Sequence, residues 1–494
     1  MKKQVYNPYL PLDTYIPDGE PHVFGERLYV FGSHDKEGGE GFCLLPYEVW
    51  SAPVDDLSDW TCHGVSYRAE QDPTRDERHS DLYAPDVVQG NDGRYYLFYA
   101  LAGKAFTGLI HVAVAEKPEG PYEYHGELHN PDGTPFERNV TFDPGVINDN
   151  GTIRLYYGWG LAALQMAGIS GLKRRLMKPL LRIVEKKLFD KTSAQIKREK
   201  DGLQGAFTVT LADDMLTVTS EPRKIAPYQL EATGTDFEGH AFFEASSIRK
   251  IGETYYFIYS SEVNHELCYA TSRFPDRDFR YGGVIVSNGD IGFAGRKPED
   301  RLAMTGNNHG SIECVNGQWY IFYHRQTHKT SYSRQGCAEP ITILPDGSIP
   351  QVEMTSCGLN GGALAASGEY PAVIACNLTN GHMPHIDQRM KDPDIPTVTH
   401  EGDMRFISGI KNGTLIGYKY FLFRGETKLS LRYRAKGSGI LNVSVGDRQL
   451  KSAELRPSDD WAETEVCFTA EGEQALTLRY VGEGEAELLS FRFL

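Results

Sequence analysis

EGHAFFEASSIRKIGETYYFIYSS, residues 238–261, is the stretch of sequence that decides the fold. It joins a short strand that carries Glu244 to a tyrosine-rich strand through a turn at Gly252. Glu244 follows Phe242 and Phe243, and an apolar setting raises the pKa of a carboxyl group and keeps it protonated. Such a glutamate can act as a general acid, whereas on the solvent face of an edge strand it would have no special role. The segment recurs along the chain, which favours the first interpretation.

The pattern of a glycine turn followed by a tyrosine-rich strand occurs five times, beginning at Gly25, Gly93, Gly151, Gly252 and Gly317. Each copy follows a short strand with a polar or ionisable residue in nearly the same phase, namely Asp18, Asp86, Asp143, Glu244 and His309. Such repeats, over about 340 residues, predict an all-β fold, a five-bladed β-propeller. Repeats of 60 to 70 residues are too long for the alternative, a stacked β-solenoid. The first strands of the blades line the central channel, so the five phased residues are expected to converge there.

The repeat pattern stops near residue 350, and the domains are assigned from that change. Residues 1–355 are predicted to form the propeller and residues 356–370, rich in small side chains, a linker. Residues 371–494 alternate apolar and polar positions with period two, which predicts a jelly-roll-like β-sandwich. The chain should therefore consist of two β domains.

A basic insert at 161–204 interrupts the propeller repeats. Its apolar residues recur at helical spacing among many lysines and arginines, which predicts an amphipathic helix. A helix of this kind could touch a membrane or an acidic partner. The favoured alternative is a helical insert packed on the propeller rim or in a contact between copies, so a homo-oligomer stays open.

Composition and charge narrow the function classes. The net charge of −16 argues against nucleic acid as the main partner. The sequence has neither the apolar core of a signal peptide nor an uncharged apolar run long enough to span a membrane. The eight cysteines lie far apart without metal-binding spacing, which indicates reduced thiols. A cytoplasmic protein with a neutral substrate is expected, and a membrane is an improbable partner.

Carboxylates and a histidine at one channel mouth fit glycoside hydrolysis, which needs one carboxylic acid and one carboxylate flanking the sugar. Asp18, in a polar Pro-Asp-Gly turn, is expected to stay ionised and act as general base. Glu244 is the better proton donor, and Asp86 could supply a nearby charge that raises the pKa of Glu244. A divalent-cation site is the competing account, but such sites usually take their ligands from one compact loop.

The chain closely resembles glycoside hydrolase family 43. The resemblance rests on residues 7–35, YAPDVV at 83–88, FDPGVINDNGTIRLYYG at 142–158, FFEASSIRKIGETYYFIYS at 242–260 and NNHGSIECVNGQWYIFYHR at 307–325. It implies a five-bladed propeller that cleaves arabinose- and xylose-containing glycans with inversion and requires no cofactor. It also implies Asp18 as base, Asp86 as the group that tunes and orients the acid, and Glu244 as acid.

The resemblance implies further, less specific roles. His309 would contact a structural calcium ion in the channel or only hydrogen-bond channel water, and Arg325 would contact sugar or form a salt bridge at a blade edge. Phe243 is expected to contact the substrate, while Asp143 lies outside the implied catalytic trio and is assigned to the channel lining. Residues 409–423 resemble part of a family 6 carbohydrate-binding module, although the C-terminal domain has a single tryptophan, Trp461.

The predicted function is an inverting glycosidase that releases terminal α-L-arabinofuranose or β-D-xylose from oligosaccharides derived from arabinoxylan or arabinan. A catalytically silent sugar-binding propeller is the second hypothesis. A glycoside phosphorylase on the same fold is the third, and it lacks an obvious basic pocket for phosphate. The enzyme is favoured because Asp18, Asp86 and Glu244 occur at matching phase.

Overall fold

A computed structural model of the chain describes residues 4–103, 109–162, 185–189, 191–388 and 390–494. The chain folds into a five-bladed β-propeller followed by a large C-terminal β domain, as the repeats predicted. Four blades are antiparallel sheets of four strands, and the fifth has three.

Blades 1 and 2 comprise β1 (Glu20–Phe24), β2 (Arg27–Phe31), β3 (Tyr47–Pro53), β4 (Thr61–Tyr67), β5 (Asp81–Gln89), β6 (Tyr95–Ala102), β7 (Ile110–Ala115) and β8 (Glu123–Glu127). Blades 3 and 4 comprise β9 (Gly145–Asp149), β10 (Thr152–Trp159), β11 (Gly205–Leu211), β12 (Arg223–Ala226), β13 (Phe242–Ile251), β14 (Thr254–Ser261), β15 (Glu266–Ser272) and β16 (Arg280–Ser287). Blade 5 comprises β17 (Ile312–Val315), β18 (Gln318–Gln326) and β19 (Arg334–Ile341). Single turns of 3-10 helix lie at Ala69–Gln71, Asn288–Asp290, Phe293–Gly295, Pro298–Asp300, Gly358–Asn360 and Ala372–Ile374.

The tyrosine-rich strand of each repeat is buried on both faces because it lies between two neighbouring blades. In β14, Tyr255, Phe257 and Tyr259 belong to the core shared with blade 3. Tyr256 and Ile258, on the opposite face, belong to the core shared with blade 5. The tight turn before this strand places Gly252 at φ 59°, a left-handed conformation that favours glycine. The repeat unit of the sequence is therefore one hairpin wedged between two hydrophobic layers.

The propeller ring closes through the N-terminal segment, which lies along β19. The backbone N–H of Tyr9 donates to the carbonyl of Gly336 at 3.3 Å, and Ala338 N–H donates to the Asn7 side chain at 3.0 Å. A parallel bridge between Gly19 and Gly310 joins the inner edges of blades 1 and 5. The first residues of the propeller thus complete its last blade.

The C-terminal domain is one ten-stranded sheet that folds over a single hydrophobic core. Its strands are β20 (Leu364–Ala365), β21 (Gly368–Pro371), β22 (Asn377–Thr379), β23 (Thr397–Glu401), β24 (Met404–Ile410), β25 (Leu415–Ala435), β26 (Gly439–Val445), β27 (Arg448–Leu455), β28 (Ser458–Gly482) and β29 (Ala486–Phe493). The stretch expected to be a linker, 356–370, contains β20 and most of β21, which pair with β25 and β29. This stretch is therefore part of the C-terminal sheet.

Much of the predicted basic helix, residues 163–184 and 190, lies outside the described residues. The described part of the insert contains a helical turn at 185–188 and the short helix α1 (Ser193–Arg198). Phe189 and Leu203 of the insert pack against Trp159 of blade 3. The described ends of the insert therefore pack on the propeller, next to the strand that leads to Glu244.

Two general expectations can be compared with the structure. Within the described parts of the chain, no helix has the length and apolar character needed to cross a membrane. All eight cysteines are free thiols, as their spacing predicted.

Candidate active site

Four of the five phased residues meet at one mouth of the propeller channel. His309 Nδ1 lies 3.9 Å from Asp18 Oδ1 and 3.7 Å from Asp143 Oδ2. Asp143 Oδ2 also accepts the backbone N–H of Ala245, the residue after Glu244, at 2.9 Å. Residues from blades 1, 3, 4 and 5 thus form one cluster, which we call the carboxylate cluster: Asp18, Asp143, Glu244 and His309.

The backbone around this cluster is held in unusual conformations. Asp18, Asp143 and Ala245 have φ values of 57°, 42° and 70°, in the left-handed region that non-glycine residues seldom adopt. The pairing of β13 with β14 shifts register on both sides of Glu244, so a β-bulge redirects its side chain. Backbone strain of this kind persists where the surrounding structure enforces it, and it concentrates at functional sites.

The environment of Asp18 keeps its carboxylate ionised. Burial raises the pKa of Asp18, but the effects of Arg334, followed by those of His324, His309 and the Ser33 hydroxyl, together outweigh burial and lower the pKa below its usual value. Arg334 Nη1 donates to Asp18 Oδ1 at 2.8 Å. Burial lowers the pKa of His309 to about 4 and that of His324 to about 3, so both imidazoles are neutral at pH 7. Arg334 therefore supplies the permanent positive charge beside Asp18.

Arg334 is itself fixed by a second carboxylate and an aromatic ring. Its Nε and Nη2 donate to Asp35 at 2.8 and 3.0 Å, and its guanidinium lies 4.7 Å from the ring centre of Phe42. Neither Arg334 nor Asp35 was predicted from the sequence. The available signal was an arginine at the start of the buried strand β19, because a buried cation needs a carboxylate partner.

The pKa values of Glu244 and Asp143 are raised, whereas that of Asp18 is lowered. Burial, followed by the negative charge of Asp18, raises the pKa of Glu244 to about 8, against the effects of Arg334 and a hydrogen bond from Trp159. Burial and the charges of Glu244 and Asp18 raise the pKa of Asp143. Because the two carboxyls repel each other when ionised, the pair retains a proton at neutral pH. The site therefore combines an ionised carboxylate with a protonated carboxyl.

Asp86 does not lie where the sequence analysis expected it. Its Oδ1 is 2.6 Å from His22 Nε2, and its Oδ2 accepts the backbone N–H of Val146 at 2.7 Å. The charge of Glu244 raises the pKa of Asp143, whereas the charge of Asp86 acts on His309. Asp86 lies inside β5, whereas Asp18 and Asp143 each lie two residues before the inner strand of their blade. The carboxyl that neighbours Glu244 is therefore that of Asp143. Asp86 instead anchors β9, the strand that follows Asp143, through the N–H of Val146.

Arg325 does not lie in the carboxylate cluster either. Its Nη1 donates to the carbonyl of Ala375 and its Nη2 to that of Val373, both at 2.7 Å. Both acceptors belong to the C-terminal domain, so Arg325 joins the two domains. The expected sugar contact is corrected to a structural one, because the two terminal nitrogens of the side chain bond backbone carbonyls at the domain interface.

Phe243 lies beside the cluster with part of its surface exposed. Its ring centre is 5.7 Å from that of Trp159. The two rings form an apolar wall next to the protonated carboxyl. This wall adjoins Phe189 of the insert, whose ring centre is 5.6 Å from that of Trp159.

The described side chains around His309 supply few of the six or more oxygen ligands that calcium takes, so a calcium ion there would be bound mostly by water. The nearest carboxylate oxygens are those of Asp18, already bonded to Arg334, and of Asp143, bonded to Ala245 N–H. Among the described residues, none of the groups whose atoms converge closely enough to hold a metal ion includes His309. The chemistry of the cluster therefore depends on its carboxyl groups.

The C-terminal tryptophan is partly covered by two neighbouring side chains. The guanidinium of Arg434 lies 4.3 Å from the ring centre of Trp461, and Phe406 packs edge-on against the same ring. A sugar-stacking platform needs a free aromatic face, so Trp461 is better suited to supporting the sheet.

Comparisons with known proteins agree with this geometry. The model of glycosyl hydrolases family 43 matches residues 14–195. A xylosidase/arabinosidase from Thermoclostridium stercorarium is 43% identical over 507 aligned residues, which cover 99% of each chain. A xylosidase/arabinosidase from Humicola insolens is 31% identical over 64% of this chain and 89% of its own length. A solved family 43 enzyme from Xanthomonas citri, complexed with xylotriose, has the same fold, with a TM-score of 0.51 and 22% identity over 73% of this chain and 96% of its own.

A propeller whose channel mouth holds an ionised aspartate and a protonated glutamate has the two groups that glycosidic bond cleavage requires, and the protein is a glycoside hydrolase. The full-length similarity then identifies it further. The chain belongs to glycosyl hydrolases family 43, as its resemblance predicted.

Proposed function

We propose that the enzyme releases terminal β-D-xylose or α-L-arabinofuranose from oligosaccharides with inversion at the anomeric carbon. Asp18 is the general base and Glu244 the general acid. The observation that carries the proposal is the opposite displacement of their pKa values, one lowered by Arg334 and the other raised to about 8. Two carboxyl groups with different environments can perform the two roles at a single pH.

The reaction occurs in one displacement. Glu244 gives its proton to the glycosidic oxygen as the bond from that oxygen to the anomeric carbon breaks. Asp18 accepts a proton from a water molecule as the water oxygen bonds to the anomeric carbon from the opposite face. The products are a free sugar of inverted configuration and a shortened oligosaccharide. Proton exchange with solvent then returns Asp18 to the ionised and Glu244 to the protonated form.

The other residues of the cluster maintain this difference in protonation. Asp143 takes the role that the sequence analysis gave to Asp86: its carboxyl, next to Glu244, keeps the proton on the pair. Its bond to the N–H of Ala245 also fixes the bulge that directs the acid. Arg334 prevents Asp18 from taking up a proton before water is bound. Neutral His309, between Asp18 and Asp143, separates the two carboxylates without adding charge.

The substrate class rests on two observations. Relatives that align with this chain carry the name xylosidase/arabinosidase, which joins two pentoses in one activity. Phe243 and Trp159 form a compact apolar wall beside the acid, suited to the face of a small sugar ring. We infer that one pocket accepts both terminal pentoses, because xylopyranose and arabinofuranose are similar in size and apolar surface.

The two alternative functions find less support. A sugar-binding propeller without activity has no use for a glutamate whose pKa is raised to about 8 beside an ionised aspartate. A phosphorylase needs a cation free to bind phosphate, and in the described part of the chain the cation at this site, Arg334, is taken up by Asp18 and Asp35. Hydrolysis without added phosphate separates these cases from the proposed enzyme.

The decisive experiment follows the hydrolysis of nitrophenyl β-D-xylopyranoside and α-L-arabinofuranoside, and of xylobiose, with proton NMR of the first anomer released. We expect inverted configuration.

We also expect Asp18→Asn to lose 10²-fold or more in kcat on every substrate, a typical magnitude for one acid or base group. Glu244→Gln should lose more on xylobiose than on nitrophenyl substrates, since nitrophenolate departs without a proton. The exposed turn residue Glu253 provides the control, and Glu253→Gln should match the wild type. Retained configuration, or wild-type rates in both active-site variants, would contradict the proposal.

Three further predictions are untested: a cytoplasmic location, a homo-oligomeric state and a calcium ion in the propeller channel. Cell fractionation, light scattering of the purified protein and metal analysis after dialysis address them in turn.

A further inference from the structure

A second group of ligand-type side chains lies where the C-terminal domain meets the propeller. Glu37 lies in the loop between β2 and β3, His328 in the loop between β18 and β19, and His400 on β23 of the C-terminal domain. We call Glu37, His328 and His400 the interdomain triad. Its three members are far apart in sequence and come from blade 1, blade 5 and the C-terminal sheet.

The ligand atoms of the interdomain triad converge. His328 Nε2 is 3.0 Å from His400 Nδ1, His400 Nδ1 is 3.3 Å from Glu37 Oε1, and His328 Nε2 is 3.6 Å from the same oxygen. Around a tetrahedral zinc ion with bonds of about 2.0–2.1 Å, neighbouring ligand atoms are about 3.3–3.4 Å apart. The three observed separations bracket this spacing, so a zinc ion fits with shifts of a few tenths of an ångström. We propose that the interdomain triad binds Zn²⁺ and thereby fastens the C-terminal domain to the propeller.

Outer contacts orient the ligands, as they do in metal sites. The second nitrogen of His328, Nδ1, lies 2.9 Å from the hydroxyl of Thr327. Tyr15 donates to Glu37 Oε1 at 3.0 Å, and Arg405 Nη2 donates to Oε2 at 2.7 Å. Arg405 Nε also lies 3.4 Å from Oε1, so both carboxylate oxygens are held, and Oε1 is the one that faces the two imidazoles.

The backbone at His328 is also shaped for this position. His328 has φ 58° and the following lysine φ 54°, so two consecutive non-glycine residues adopt the left-handed conformation. The N–H of His328 donates to the carbonyl of Val398 on β23 at 2.9 Å. This bond anchors the strained loop to the strand that carries His400.

The donor set selects the metal. Two imidazole nitrogens and one carboxylate oxygen suit Zn²⁺, Co²⁺ and Ni²⁺, whereas Ca²⁺ and Mg²⁺ prefer oxygen ligands. Three protein ligands leave a fourth position for a solvent ligand, and the side chain of His400 is 35% exposed, which gives an ion access. Arg405 places a positive charge near the site and lowers its affinity, but the negative charge of Asp13 acts on the same guanidinium.

The other two groups of metal-type ligands are less suited to this ion. In the group of His240, Glu266 and Cys268, burial raises the pKa of the Cys268 thiol well above its usual value, which disfavours the thiolate that binds zinc. The group of Glu20, His22 and Asp86 offers one imidazole beside two carboxylates, a set richer in the oxygen ligands that Ca²⁺ and Mg²⁺ prefer. The interdomain triad is the group with two imidazoles.

A metal ion here would act on the rim of the active site. Glu37 is two residues from Asp35, which holds Arg334 in place beside Asp18. The same loop carries Phe42, whose ring lies against Arg334. Zinc would therefore stiffen the loop that supports the ionised base, in addition to joining the domains.

The test uses the full-length protein after removal of metals with a chelator. Co²⁺ serves as the spectroscopic probe, because a tetrahedral Co²⁺ site absorbs strongly in the visible range, and Zn²⁺ content is measured after dialysis. The variants are His328→Ala and His400→Ala. His382, an exposed histidine of the C-terminal region, provides the matched control His382→Ala.

We expect one equivalent of Zn²⁺ or Co²⁺ in the wild type and in His382→Ala, with a visible Co²⁺ spectrum that Zn²⁺ removes and Ca²⁺ does not. We also expect Zn²⁺ to raise the Tm of these two proteins, because an ion that binds only the folded state stabilises it. His328→Ala and His400→Ala should lose the bound metal ion, the Co²⁺ spectrum and the shift in Tm while keeping the far-UV circular dichroism of the wild type.

A wild type that retains less than a tenth of an equivalent of metal, or a His400→Ala variant that binds the metal as tightly as the wild type, would overturn the proposal. Hydrolytic activity plays no part in either outcome, so this test is independent of the proposed reaction.

Discussion

Replacing the proposed acid by its amide, Glu244→Gln, should make the protein more stable while impairing catalysis. In the folded chain burial, followed by the charge of Asp18, raises the pKa of Glu244 from 4.5 to about 8. Between these two pH values the unfolded chain releases the proton and the folded chain keeps it. Stability is therefore lost as pH rises through this window, and the loss is complete above about pH 8.

The magnitude follows from the displacement. At 1.36 kcal/mol per pH unit, a rise from 4.5 to about 8 corresponds to about 5 kcal/mol. The side chain of Glu244 is partly accessible to solvent, which screens the interaction and reduces the expected difference to about 2–3 kcal/mol. In a domain of this size 1 kcal/mol changes Tm by about 2 °C, so the variant should melt roughly 4–6 °C above the wild type at pH 8. The two proteins should melt close together at pH 5.

The assay is thermal unfolding at one scan rate, followed by circular dichroism, at pH 5, 6.5 and 8. Glutamine has nearly the same size and shape as glutamate, so the packing at the site is preserved. Glu253→Gln removes a charge from the turn of the same hairpin, where the side chain is exposed, and should show no such pH dependence. A Tm difference between Glu244→Gln and the wild type that stays constant from pH 5 to pH 8, or that reverses sign at pH 8, would refute the reasoning.

Four further predictions concern the remaining assignments. Asp143→Asn removes the carboxyl that repels the ionised acid, so the alkaline limb of the kcat/KM profile should move to lower pH. Asp86→Asn should leave that limb in place, and an equal displacement in both variants would contradict the reassignment. Arg334→Lys breaks the paired bonds that hold the cation beside Asp18, so the pKa of Asp18 should rise and the acid limb of the kcat/KM profile should move to higher pH. An unchanged acid limb would count against the role given to this arginine. Arg325→Ala loses two charged hydrogen bonds to the C-terminal domain, worth about 3 kcal/mol together, and should lower Tm without changing KM, whereas a large rise in KM would restore the sugar contact. Trp461→Ala should bind xylan in affinity electrophoresis as the wild type does, because its ring is already covered, and a clear loss of retardation would point to a sugar site in the C-terminal domain.

The fold could be predicted because its signal is local and repeated. Each hairpin has its own glycine turn, and alternate side chains of each tyrosine-rich strand enter two different interblade cores. A strand buried on both faces gives a continuous apolar run, which five copies made recognisable. The C-terminal domain was recognised from period-two alternation. That residues 356–370 belong to this domain was not predicted, because short strands rich in small residues resemble a linker in sequence.

The site was predictable only in part. Asp18, Glu244 and His309 could be predicted to lie at the channel mouth, because each occupies nearly the same position in its repeat. It could not decide between Asp86 and Asp143, since that choice depends on where each inner strand begins and on the register shifts in its pairing.

Arg334 lay beyond the reach of sequence patterns. Its partner Asp18 is 316 residues away, and the contact exists only because blade 5 closes against blade 1. Local pattern reading favoured Arg325 instead, nine positions earlier, because it follows a tyrosine and a histidine in the last repeat. Long-range contacts of this kind are set by ring closure, which no local pattern encodes.

The way in which the ring closes has a consequence for the synthesis of the protein. Asn7 bonds Ala338 and Thr355, and Val5 bonds Asn360, across separations of 331 to 355 residues. A ribosome that adds about 5–20 residues per second needs roughly 20–70 s to make the partners of these N-terminal residues. During that time the inner strand of blade 1 lacks its neighbour in blade 5, and its edge is open to other chains. The nascent propeller is therefore most prone to aggregation just before its last blade emerges, and slow translation beyond residue 300 would lengthen that interval.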